Sequence, residues 1–242
     1  MQSKTKSLAI VCSFMLLTLF SCDYDHIRVD KEITSLEYSI PAFSEIKISN
    51  AFDAYVTFSD SEESIIIEAN DNLHDRILVQ REDNALTIKL KNFTSVKGNA
   101  TLKAYITTND IHRFEAKGAS NITFENEWNV NDGRIELTGA SELYGEVNAN
   151  HLRFDLRGAS ELDLFGSATT LDANLSGSSD FRDYDLTVER LDIDMTGASE
   201  AAMSVTESID IEARGASVLS FKGDAIITRK ELSGASELKN RN

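Results

Sequence analysis

Leu137-Thr138-Gly139-Ala140-Ser141-Glu142-Leu143 returns nineteen residues later as Leu156-Arg157-Gly158-Ala159-Ser160-Glu161-Leu162. The phrase recurs through the second half of the chain, with its glycines at Gly118, Gly139, Gly158, Gly177, Gly197, Gly215 and Gly234. Successive spacings are 21, 19, 19, 20, 18 and 19 residues. A period held near 19 residues marks a repeat architecture.

Around each glycine the residues alternate. Two positions before it stand Ala116, Leu137, Leu156, Leu175, Met195, Ala213 and Leu232; four after it stand Ile122, Leu143, Leu162, Phe181, Ala201, Leu219 and Leu238. Four before it are Phe114, Ile135, Phe154, Ala173, Ile193 and Ile211, with Lys230 as the exception. Charged residues such as Glu115, Glu136, Asp155, Asp194, Glu212 and Glu231 lie between them and point outward. The period is two, that of a strand with one buried face.

Each unit is therefore strand, corner, strand. One unit cannot bury its inner face alone; stacked on its neighbours at about 4.8 Å it forms one continuous core. The chain is predicted to be all-β, a right-handed parallel β-helix-like solenoid with rungs of about 19 residues. In the corner, glycine permits a backbone angle closed to other residues, and serine can bond the local backbone.

The first half carries the same pattern less regularly. Ile46, Ile48, Ala54, Val56 and Phe58 alternate around Asn50-Ala51-Phe52-Asp53, which fills the slot of the later Gly-Ala-Ser-Glu. Asparagine tolerates the left-handed backbone nearly as well as glycine. Strands over Ile65–Ile67, Ile77–Val79, Leu86–Leu90 and Leu102–Ile106 extend the series to about three more rungs.

Residues 1–21 read as a lipoprotein signal peptide. Lys4 and Lys6 precede an apolar run, Leu8 to Phe20, that is too short for a permanent span. Leu19-Phe20-Ser21-Cys22 resembles a bacterial lipobox, with Cys22 as the lipidated residue that ties the chain to a membrane. An ordinary signal peptide would instead leave Cys22 as a lone thiol. Cys12 leaves with the leader, so the mature chain has no disulfide. Residues 22–39 are expected to be a tether and residues 40–242 the solenoid. The acidic Asp23 and Asp25 resemble the signal that some Gram-negative bacteria use to place lipoproteins on the cell's outer face. The expected location is the outer membrane, on its cell-surface or periplasmic side.

The balance of 24 Lys plus Arg against 40 Asp plus Glu, −16 in all, argues against nucleic acid, which needs a basic stripe. The charge that invites a function follows the motif serine: Glu142, Glu161, Asp180, Glu200 and Glu237. Stacked in register, neighbouring carboxylates repel by about 0.9 kcal/mol even in bulk water. A cation-attracting edge, for Ca²⁺ or a basic partner, is one explanation; a solvated edge that deters sideways aggregation is the other. Lys117, Arg157 and Arg214, directly before motif glycines, are placed to pair with this row. The motif serines lack the nucleophile elbow, and His26, His74, His112 and His151 have no metal-ligand spacing. No catalytic residues, resident metal or cofactor are expected. Trp128, Tyr144 and Tyr184 are the aromatics that could stack on a sugar.

The Gly-Ala-Ser-Glu phrase, together with Asp71-Asn72-Leu73 and Asn84-Ala85-Leu86-Thr87-Ile88, resembles the GIN-domain family, described as putative auto-transporter adhesin heads. The resemblance covers about residues 40–238 and departs at Asn121, Val218 and Ser178. It implies a secreted or lipid-anchored β-solenoid that binds a protein or glycan on its surface, without catalysis. A carbohydrate-active enzyme on the same scaffold and a structural envelope protein are the alternatives. The few residues after the last rung leave a strand edge open, so end-to-end self-association is expected.

Overall fold

The computed structural model describes residues 25–182 and 184–242. The leader and Cys22 lie outside the described residues. Where a tether was expected there are two short strands, β1 (Asp25–Arg28) and β2 (Ile33–Glu37). The body begins with β3 (Glu45–Ser49) and β4 (Asp53–Phe58) on either side of the first corner. An excursion follows: β5 (Ser64–Asn70), a 3₁₀ turn over Asp71–Arg76, β6 (Ile77–Glu82), β7 (Ala85–Leu90), β8 (Thr94–Lys97) and β9 (Leu102–Thr108).

The regular winding runs through β10 (Arg113–Gly118), β11 (Asn121–Phe124), β12 (Trp128–Gly139), β13 (Glu142–Gly158) and β14 (Glu161–Gly177). It continues through β15 (Asp180–Arg182), β16 (Leu186–Gly197), β17 (Glu200–Ala213), β18 (Val218–Lys222), β19 (Ile226–Leu232) and β20 (Glu237–Asn240). The result is a β-solenoid of about seven turns with rungs near 19 residues.

From β10 onward the pairing is parallel, and the motif sets its register: Gly118, Gly139, Gly158, Gly177 and Gly197 align turn on turn. The three apolar rows read from the sequence form the core. Phe114, Ile135, Phe154, Leu156, Leu162 and Ile211, for example, are all inaccessible. The rows thin only in the last turn, where Leu232 and Leu238 are half-buried.

The corner has a double reason for glycine. At Gly158, φ is +89°, and a Cβ there would stand 2.7 Å from the carbonyl oxygen of Gly139 in the turn before. Left-handed backbone and close stacking both exclude a side chain. In the first corner, where nothing is stacked so tightly, Asn50 and Ala51 adopt φ of +66° and +62°. The motif serines turn inward. Ser141, Ser160, Ser179 and Ser199 are buried, and each donates its hydroxyl to the carbonyl three residues earlier at 2.8–3.0 Å.

Of the three successive rungs expected before residue 106, β3 and β4 form one parallel turn and β7 and β9 another out of chain order, and the rest of the stretch is a cap. β9 lies parallel beside β4, and β7 parallel beside β3, so this turn sits N-terminal to β3 and β4 in space although it follows them in sequence. β5 then pairs antiparallel with β9, β2 antiparallel with β5, and β6 antiparallel with β7. The antiparallel strands end the winding on that side. Alternation with period two is the same for a rung and for a hairpin, which is why sequence could not separate them.

At the other end, among the described residues, β19 pairs only with β17, and β20 only with β18. Lys230 stands opposite Ile211, in a row that is apolar on every preceding turn of the repeat. A charge at a core position of an edge strand discourages another strand from adding there.

Candidate ligand-binding groove

The acidic residues after the motif serines do align. Asp53, Asn121, Glu142, Glu161, Asp180, Glu200, Val218 and Glu237 occupy one row across neighbouring turns. Much of the row is already answered from within the chain. Asn121 donates to Asp53 at 2.8 Å. Arg182 bridges Asp180 at 2.6 Å and Glu161 at 3.4 Å. Lys239 lies 2.6 Å from Glu237, and its hydrogen bond and charge hold that carboxyl below the usual range. Among the described residues no group of three or more His, Cys, Asp or Glu could hold a metal ion.

Lys117, Arg157 and Arg214 do not pair with this row, contrary to expectation. They reach back along their own strands to Glu115, Asp155 and Glu212. The cause is strand parity. Residues two apart on a strand share a face, whereas the corner turns the post-serine row onto another side.

A second charged row, not singled out in the sequence, runs Glu45, Arg113, Arg134, Arg153, Asp172, Asp192, Asp210 and Arg229. Its arginines are all engaged. Arg113 meets Glu136 at 2.9 Å, Arg134 meets Asp155 at 2.8 Å and Arg153 meets Asp172 at 2.6 Å. Burial works against ionisation of Glu136, yet hydrogen bonds and charge from Arg113 and Arg134 hold its pKa low. Asp192 is the opposite case: partial desolvation, then the carboxylates of Asp210, Asp172 and Asp194, push its pKa up.

A concave feature lies where the first turn of the repeat is interrupted. β4 ends at Phe58, the chain leaves for the cap, and it returns through 109–112. The gap is a groove of about 600 Å³, within the range of ligand sites. Phe58, Ile111, Trp128 and Val130 supply its apolar surface, and Asp60, Asp110, Glu127 and Asp132 its carboxylates.

The floor is rigid. Trp128 is 1% exposed, packs edge-on to Phe114 at 5.0 Å and stacks with Phe58 at 6.5 Å, and its indole N–H donates to the Ile111 carbonyl at 2.8 Å. The expectation of an exposed platform at Trp128 is thereby corrected: the ring is core beneath the groove. Tyr144 is exposed and tilted against Phe165, and Tyr184 lies under the Lys222 ammonium at 4.2 Å. Asn126 closes the end of β4, accepting from the Phe58 amide at 2.8 Å and donating to its carbonyl at 2.9 Å.

The groove was missed because its parts are scattered. Phe58, Asp110 and Trp128 come from three segments, and no local signal says that an excursion leaves one side of a turn unfilled. The clue available was the gap in the motif between Asn50 and Gly118.

A family profile for "Putative auto-transporter adhesin, head GIN domain" matches residues 42–225, and the chain belongs to this family. No curated protein matches the chain. Among solved structures, one described as a putative adhesin from Bacteroides fragilis superposes with a TM-score of 0.80 at 24% identity, over 89% of this chain and 100% of that one. A second, described as a putative lipid binding protein from Parabacteroides distasonis, gives 0.73 at 16% identity over 90% of this chain and 100% of that one. A third, described as a putative adhesin from Parabacteroides merdae, gives 0.69 at 16% identity with the same coverages. At these identities the likenesses establish the fold.

Proposed function

We propose that this member of the GIN-domain family is an exported, non-catalytic binding protein of adhesin type, held to the outer membrane by a lipid on Cys22. Its ligand seat is the groove between Phe58, Asn109–His112 and Trp128–Asp132. The observation that carries the reading is the interrupted turn: the groove has an aromatic floor that is already packed and held, and so binds without reorganising. Its carboxylates Asp60, Asp110 and Asp132 stand in solvent at the rim. Solvated rim carboxylates suit recognition of a basic partner.

The test is made on cells. Protease added to intact cells should digest the protein, and Cys22→Ala should release it from the membrane fraction into the soluble one. Cells carrying the native chain should adhere to a ligand-coated surface, and the soluble mature chain should compete. Full protection from protease, or adherence that the soluble chain does not inhibit, would sink the adhesin reading.

A further inference from the structure

The groove has an unusual wall. Residues 128–133 of β12 pair with β13, from Trp128↔Val147 to Gly133↔Leu152. Pairing with β10 on the other side begins only at Arg134. Among the described residues no strand follows beneath the start of β12, because β4 has ended and residues 109–112 climb past as a connection. One edge of this stretch is therefore open and faces the groove.

The core records the gap. Val130, Ala149, Ala168, Val188 and Val205 form one inward row across consecutive turns. The last four are at most 6% exposed; Val130 is only half-buried. Its remaining surface lines the groove. The C-terminal edge offers the contrast. There the protein places Lys230 at a core position, a guard against strand addition. At the β12 edge the core position is Val130, which is uncharged.

We propose that the groove binds an extended polypeptide segment, which adds to the free edge of β12 as the strand that the interrupted turn lacks. Main-chain hydrogen bonds to an exposed edge supply affinity, and alternate side chains supply selectivity. Apolar side chains of the segment cover Val130 and Phe58. Basic ones meet Asp60, Asp110, Glu127 and Asp132, with His112 the sole basic side chain among the lining residues. This inference rests on the binding-protein reading above and names its ligand class.

Trp128 is the only tryptophan in the chain and lies under the groove, so its emission reports on this site. The mature protein is titrated with an eight-residue alternating Lys–Val peptide, the same peptide N-methylated at every second amide in either phase, an alternating Glu–Val peptide, and maltohexaose. A saturable change is expected with the Lys–Val peptide. One N-methylated phase should bind about tenfold more weakly or worse, and the Glu–Val peptide should bind far more weakly. Val130→Lys should abolish the change. Asp132→Lys, at an exposed rim position, should weaken it about tenfold while leaving the fold intact by circular dichroism.

Equal binding by both N-methylated phases, equal binding by the Glu–Val peptide, or no saturation with Lys–Val overturns the inference. Saturation by maltohexaose alone overturns it too, yet leaves the adhesin reading standing, because that reading is decided by cell adherence.

Discussion

The carbonyl oxygen of Gly139 accepts a 2.7 Å hydrogen bond from Ala159 and occupies the space that a Cβ on Gly158 would need, 2.7 Å away. The bond that stacks the corners is thus what excludes a side chain from them. Gly158→Ala should cost about 2–4 kcal/mol, combining left-handed strain with displacement of the turn below. Gly118→Ala should cost about 1–2 kcal/mol, because its nearest neighbour, the Asn50 amide, is 3.8 Å away and only the φ of +84° is at stake. Urea denaturation of both variants checks the order; equal losses would show that stacking adds nothing.

The serine row makes a second paired prediction. Ser160 is buried and donates to the Arg157 carbonyl at 2.8 Å, so Ser160→Ala should destabilise by about 1 kcal/mol. The Ser236 hydroxyl, in the last turn, is buried but makes no hydrogen bond. Ser236→Ala should be neutral or slightly stabilising. A cost at Ser236 matching that at Ser160 would assign the serine a role in shape rather than in bonding.

Two carboxylates, Asp192 on the second charged row and Glu136 beside its arginines, should respond to pH with opposite signs. Asp192 has a raised pKa, so its protonated form favours the fold. That contribution is fully present below the ordinary aspartate value of about 3.9 and is lost as pH rises through the raised one. At neutral pH the ionised Asp192 is a liability, and Asp192→Asn should stabilise by a few tenths of a kcal/mol, as expected for a solvent-screened site. The gain should vanish below about pH 3.5.

Glu136 has a lowered pKa, so its contribution is present above the ordinary glutamate value of about 4.3 and fades as pH falls through the depressed one. Glu136→Gln should therefore lose about 1 kcal/mol at pH 7 and much less in acid. Guanidinium would screen these charges, so urea is the denaturant to use. A Glu136→Gln loss that did not change with pH would argue for packing instead.

Lys230 should govern end-to-end association. Lys230→Ile restores the apolar row on the open C-terminal edge and should shift the protein toward dimers or longer assemblies in sedimentation velocity. An unchanged distribution would mean that Lys230 is not the guard and that the edge is protected by other means.

Sequence alone determined the repeat, its 19-residue rung, the three core rows and the corner glycines and serines. Each is local: alternation names the inward face, and recurrence says that units stack. It also placed the post-serine carboxylates in one row, because a common register follows from a common motif. Only the tertiary structure decided which cations answer which carboxylates, since pairing across turns depends on strand parity and the bend at the corner. It alone decided that residues 59–112 fold back to the N-terminal side of β3 and β4, adding one parallel turn there and closing it with antiparallel strands. From that choice the groove follows. A chain that leaves one turn to build a cap cannot also fill the side it left, and the edge of β12 stays open beside Val130.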